Sequence, residues 1–354
     1  RHTYHDRGHK IHPVPSPDHG LASGVAAIVF DAFQMVEFVA FTAGTDGARP
    51  DRTVYAVAEF NEGLGHCVSP EGLIEIKAPF LSLFKGKDMD SVTQLRRMGL
   101  FDARVPRYTS YPTANHFNPG VGPQEMSDWI TAIPEDSAVS LYVHIPFCRR
   151  LCWVCACRTQ GTATAAPVAG YLNIVKKELA LVAERLPAGV RLSRLHWGGG
   201  TPTLLAPDMM EELTQAITDV APFAQGAEFS VEIGTNEIDT YRLDALARSG
   251  VNRASIGVQD FDPDIQSVSG RLQTFEKTKE VADALRERAI ESLNIDLLYG
   301  LPHQTEQRIA DSVQKVLSLS PDRVALYGYA HVPWMARRQA MIPAEALPAP
   351  EARL

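Results

Sequence analysis

Four of the chain's five cysteines fall within ten residues, in Cys148-Arg-Arg-Leu-Cys152-Trp-Val-Cys155-Ala-Cys157. Thiolates are soft ligands, and this density in one loop suits an iron–sulfur cluster or a structural zinc. Zinc fits the tight spacing awkwardly, because structural zinc usually takes two ligand pairs from separate loops. A cluster capped by all four cysteines would be an electron-transfer centre. One held by Cys148, Cys152 and Cys155 alone would leave an iron open to a small chelating ligand. The C-x3-C-x2-C spacing directly after a strand favours the open-iron reading, and Cys157 is then an extra thiol beside the site. Cys67, far upstream, reads as inert.

Other candidate residues surround this loop in function, if not in sequence. Gly198-Gly-Gly-Thr-Pro-Thr203 lacks the spacing of a phosphate loop and has no following lysine. It reads as a tight turn or as backbone that a ligand approaches closely, glycine giving access to exposed N–H groups. Beside a cluster with an open iron, close approach is the better reading. Glu232 is either a capped loop carboxylate or a partner for ribose hydroxyls or an amino group. Gln259, Asp260, Asn294 and Asp296 are polar groups on otherwise apolar strands, which suits a ligand-lined mouth.

The elements that must hold these residues alternate. Strands are expected at 139–145, 191–197, 228–233, 253–258, 292–299 and 323–329. Between them, apolar residues recur at helical spacing: Val168, Leu172, Val175, Leu179 and Val182; Met209, Leu213, Ile217 and Val220; Leu243 and Leu246, stopped at Gly250; Phe275 to Arg288; and Ile309, Val313, Val316 and Leu317. Strict alternation implies parallel strands joined by right-handed crossovers, an α/β fold. Six such units form either an open doubly wound sheet or a partial barrel, and periodicity does not choose. In both, ligands bind outside the carboxyl ends of the strands. Cys148, Gly198, Glu232, Gln259, Asp296 and Ala330 are all expected at such ends.

The totals exclude some classes. With 354 residues, 45% hydrophobic and 21% charged, the chain reads as soluble and globular. A net charge of −8 makes nucleic acid a poor partner. Clustered cysteines point to a reducing cytoplasm rather than a secreted disulfide framework. No membrane span is expected, since the best stretch, 21–44, contains Asp31, Gln34 and Glu37. Residues 1–88 differ in texture, opening with His2, His5, His9, His12 and His19 in a polar leader. They are expected to be a poorly ordered or non-native extension, with Met89 reading as a natural start. Residues 89–135 then form an N-terminal segment, 136–340 the core, and 341–354 the start of a truncated C-terminal region.

Taken together, the cysteine loop, His196-Trp-Gly-Gly-Gly-Thr-Pro202, Gly257-Val-Gln-Asp-Phe261, Asn294-Ile-Asp-Leu-Leu-Tyr-Gly-Leu-Pro302 and Tyr329-Ala-His331 resemble the radical S-adenosylmethionine enzymes. Within them the match is to the oxygen-independent coproporphyrinogen III oxidases. Pro106-Arg-Tyr-Thr-Ser-Tyr-Pro-Thr113 and Cys157 favour these over the alternative, the related haem chaperones that bind and transfer haem. The resemblance implies a partial (β/α)6 barrel followed by a further domain. It implies a 4Fe–4S cluster on Cys148, Cys152 and Cys155, and two S-adenosylmethionine molecules. Tyr142, Gly199 and Glu232 would contact the molecule on the cluster. Val154, Gly200, Thr201, Gln259, Arg271, Asp296 and Ala330 would line the second, and Cys157 is the candidate catalytic thiol. The implied partners are coproporphyrinogen III and a low-potential donor of flavodoxin or ferredoxin type, acting on a monomer. Two departures stand out: Val154 replaces an aromatic residue, and Gly234-Thr235 replaces Asp-Pro.

Overall fold

The structure is a computed structural model that describes residues 26–29, 55–59, 68–69, 72–73, 91–99, 120–334 and 336–353. The histidine-rich leader, Cys67, Arg107 and the Pro106–Thr113 motif lie outside these residues. Of the first 88 residues, four short strands are described: β1 (Ala26–Val29), β2 (Tyr55–Glu59), β3 (Val68–Ser69) and β4 (Gly72–Leu73). Two helices follow, α1 (Ser91–Arg97) and α2 (Pro123–Thr131).

The alternating core then begins with β5 (Ala138–Ile145) and the short strands β6 (Phe147–Cys148) and β7 (Gln160–Gly161). It continues through α3 (Ala166–Ala183), β8 (Arg191–Gly199), α4 (Pro207–Val220), β9 (Phe223–Ile233), α5 (Thr240–Arg248) and β10 (Arg253–Gln259). After β10 come α6 (Pro263–Ser269), α7 (Phe275–Arg286), β11 (Ser292–Tyr299), α8 (Glu306–Ser318) and β12 (Arg323–Gly328). All six expected strands form. Within the alternating core the helix not foreseen is α6, which apolar periodicity cannot reveal in seven residues; its signals are local. Asp262 accepts from the N–H groups of Asp264 and Ile265 at its start, and Gly270 takes the left-handed conformation at its end.

The strands pair in the order β1-β5-β8-β9-β10-β11-β12-β2, all in parallel. From β5 to β12 each core strand lies beside the one that precedes it in the chain. A doubly wound sheet reverses its strand order at a switch point; this sheet does not, so the fold is the partial barrel.

Strand alternation sorts the side chains into two faces. Trp197, Val231, Ile256, Ile295 and Leu297 point to the helical layer and are fully buried. They meet Met210, Leu213 and Ile217 of α4 and Leu246 of α5 in one continuous core. Burying a side chain of this size stabilises the fold by about 1.5–3 kcal/mol. The opposite face carries Tyr142, His144, His196, Glu232, Ser255, Asn294 and Asp296. Register aligns Glu232 with Ser255, Ser255 with Asn294, and Gly257 with Asp296. The sheet is therefore apolar towards its helices and polar within. Asp296 sits mid-strand in β11 rather than at its end, which corrects the sequence expectation. Its carboxylate accepts from Ser255 Oγ at 3.2 Å and Asn294 Nδ2 at 2.7 Å, inside the barrel.

Candidate functional site

The cysteine loop leaves the carboxyl end of β5 and is pinned by backbone at both ends. Gln160 N donates to Pro146 O at 2.8 Å, and Thr162 N to Cys148 O at 3.0 Å. In the middle, Trp153 N donates to Ser269 O at 3.0 Å. Cys148, Cys152, Cys155 and Cys157 are all half-buried and none is in a disulfide.

Their electrostatics are unequal. A hydrogen bond from Cys157 and the nearby Arg338 guanidinium lower the Cys155 thiol below its ordinary value, against the effect of burial. Cys157 N also donates to Cys155 Sγ at 3.3 Å. Cys157 moves the other way: its hydrogen bond to Cys155, with burial and the neighbouring Glu232 charge, pushes its thiol up, so it keeps its proton. Burial raises Cys148, opposed by a hydrogen bond from Thr201. Arg271 Nη1 donates to Cys152 Sγ at 3.4 Å.

The glycine-rich end of β8 lies against this loop. Gly200 N donates to Ile145 O at 2.8 Å. A Cβ on Gly200 would lie 2.6 Å from Phe147 O and 2.9 Å from Cys148 Sγ, so only glycine brings the backbone this close. Gly199 takes φ +113, and its N–H donates to Glu232 Oε2 at 3.0 Å. Tyr142 stacks on His196 at 5.5 Å between ring centroids, and Tyr142 Oη shares a 2.9 Å hydrogen bond with His144 Nδ1. His196 Nε2 is 3.7 Å from Glu232 Oε1. A second group gathers on β10, where Arg271 Nη2 donates to Gly257 O beside Gln259, itself at φ +73. Val154 is buried with Ile265, Leu301 and Tyr329, and Ala330 lies two residues beyond the end of β12.

Sequence reasoning missed several residues here. His144 and His196 could have been found, since they share a strand face with Tyr142 at a spacing of two or by register. Arg338 and Gln339 had no local signal. They arrive on a short 3-10 helix, Arg337–Met341. Arg338 Nη2 donates to Thr159 Oγ1 at 2.8 Å and to Cys157 O at 3.3 Å. Gln339 Nε2 donates to Val154 O at 2.9 Å. Position 234 has no room for the aspartate of the resemblance: a Cβ there would lie 2.5 Å from Thr201 Cγ2, and Gly234 N donates to Thr203 Oγ1 at 3.0 Å.

The residues fit an iron–sulfur cluster, in which each thiolate binds its own iron. The soft donor set, the Gly200 cradle and two buried guanidinium atoms without partners, Arg271 Nε and Arg338 Nη1, suit a bulky anionic group beside the loop. No helix among the described residues is long and apolar enough to cross a membrane.

Residues 142–316 match the model of the radical SAM superfamily. A protein of Paracoccus denitrificans named oxygen-independent coproporphyrinogen III oxidase is 65% identical over 266 residues, covering 75% of this chain and 59% of the relative. A protein of the same name from Cereibacter sphaeroides is 59% identical over 266 residues, with the same coverage of 75% and 59%. The chain thus spans 59% of the length of these curated relatives. Among solved structures, the coproporphyrinogen III oxidase of Escherichia coli, titled a radical SAM enzyme, superposes with a TM-score of 0.66 at 39% identity. That match covers 70% of this chain and 56% of the other.

Proposed function

We propose that this chain, whose residues 142–316 match the model of the radical SAM superfamily, is the barrel portion of an enzyme that decarboxylates coproporphyrinogen III oxidatively to protoporphyrinogen IX without oxygen. One observation carries the reading: three cysteines spaced C-x3-C-x2-C at the end of β5, packed against the glycine-rich end of β8. The names of the relatives support the oxidase over a haem chaperone.

Cys148, Cys152 and Cys155 would hold a 4Fe–4S cluster through three irons. When bound, the cluster and S-adenosylmethionine supply a 5′-deoxyadenosyl radical that removes hydrogen from a propionate side chain. The chain's own residues do the rest. Gly199 and Glu232, already bonded to each other, present a carboxylate and side-chain-free backbone beside the cysteine loop, with Tyr142 next to Glu232 across the sheet face. Thr201 hydrogen-bonds Cys148, and Cys157, beside Cys155 but outside the C-x3-C-x2-C set, is proposed as the catalytic thiol rather than a fourth ligand. Arg271, Gln259, Gly200, Val154, Asp296 and Ala330 are proposed to line a second S-adenosylmethionine. The barrel's polar interior orients these groups, and its helical layer keeps water from the far side of the sheet.

The same reading takes residues 89–135 as a lead-in, 136–340 as the radical SAM core and 341–354 as the start of a following region. It expects a cytoplasmic monomer reduced by a flavodoxin or ferredoxin type donor. The test is anaerobic reconstitution of the chain extended to its relatives' length, with iron, sulfide, reductant, S-adenosylmethionine and coproporphyrinogen III. Formation of 5′-deoxyadenosine with a vinyl product is expected. Haem bound stoichiometrically without either product would overturn the reading in favour of the chaperone.

A further inference from the structure

Arg338 reaches the end of the cysteine loop from beyond β12. Its neighbour Gln339 is 1% exposed and anchors the seat, donating to Val154 O and accepting from Val332 N at 2.6 Å. Arg338 Nη2 then grips the end of the loop through Thr159 Oγ1, Thr159 O at 3.4 Å and Cys157 O. Its other terminal nitrogen, Nη1, is buried without a partner. No carboxylate among the described residues pairs with it, whereas Arg253 and Arg288 elsewhere in the barrel each have one. A fixed cation with an unused N–H is therefore held against a loop of thiols, and its charge reaches both Cys148 and Cys155.

We propose that Arg338 raises the reduction potential of the iron–sulfur cluster held by this loop, by placing positive charge and a spare N–H donor beside it. The inference rests on the cluster reading above. Reduction adds an electron to the cluster, so a fixed neighbouring cation favours the reduced form, and hydrogen bonds to cluster sulfurs act in the same direction. Burial strengthens both effects by excluding screening water. Arg338 is thus a tuning residue that touches the loop and takes no part in the bonds that change.

The test is a redox titration followed by electron paramagnetic resonance on the anaerobically reconstituted chain, with iron content measured in parallel. R338Q keeps much of the reach and loses the charge; its midpoint potential is expected to fall below that of the unsubstituted chain at equal iron content. R338K keeps the charge and is expected to stay close to the unsubstituted value. An unchanged midpoint in R338Q, or one in R338K as low as that of R338Q, overturns the proposal. If R338Q assembles no cluster, R338M, which also removes the charge, is titrated in its place; a fall in its midpoint is expected, and an unchanged midpoint overturns the proposal. A chain that takes up no iron before any substitution defeats the proposed function and this inference together, and its iron content identifies that case.

Discussion

Gly199 shows how much of the site depends on a missing atom. Its φ of +113 is costly for other residues, and a Cβ there would meet the His144 ring at 2.7 Å. G199A is expected to destabilise the fold by about 1–3 kcal/mol in urea unfolding. G170A, on the exposed face of α3 with open space around it, should instead stabilise by about 0.4–1 kcal/mol, which makes it the control. Asp260 tests a buried carboxylate. It accepts from Asp262 N at 2.7 Å, Ser312 Oγ at 2.8 Å and Gln304 Nε2 at 2.6 Å, while burial raises its pKa from the ordinary 3.8. A raised folded-state pKa means a stability contribution that is full below pH 3.8 and lost as the pH climbs through the folded value. The stability advantage of the unsubstituted chain over D260N should therefore shrink as pH rises from 3.8, measured by denaturant titration at each pH.

At the scale of elements, the helices were legible where they were long and apolar on one side. In α4, Met210, Leu213 and Ile217 recur at helical spacing and are all 0% exposed, because they cover the apolar face of the sheet. L213A should cost about 2–5 kcal/mol by leaving a cavity, whereas exposed positions on α4 should change little. Helix α5 depends on its start: Asp239 Oδ1 accepts from Arg242 N at 2.9 Å. D239A is expected to cost about 1 kcal/mol, read from the urea midpoint. The glutamine contacts around Asp260 were not legible. Gln266 Nε2 donates to Asp260 O and to Gln273 O, contacts that exist only once α6 and the turn before α7 have been brought together.

For the whole molecule, the loop and the barrel should act as one thermodynamic unit. The cysteines follow β5, the glycine cradle ends β8, Arg271 comes from the turn after α6, and Arg338 from beyond β12. A group that binds only the folded chain stabilises it by mass action. Anaerobic loading with iron and sulfide should therefore raise the melting temperature, by about 2–4 °C for each kcal/mol of linkage. C148A, C152A and C155A should each lose bound iron and most of that rise, while C157A should keep both. A melting temperature indifferent to loading would mean that the cysteine loop does not bind its cluster as part of the fold.

The sequence by itself determined the kind of chemistry and the local structure. Cysteine spacing names soft ligands, period-two and period-3.6 patterns name strands and helices, and both are properties of neighbouring residues. The tertiary structure decided what depends on distance across the chain. Strand order chose the barrel over the doubly wound sheet, and register turned Asp296 into an interior group of β11 rather than a rim residue. It also brought Arg338 to a loop 181 residues earlier, where the carbonyl of Cys157 accepts its hydrogen bond. No local pattern encodes such a contact, because its energy exists only after six strands have curled one end of the sheet around the loop. The cysteine loop could be read from ten residues; the charge beside it could not.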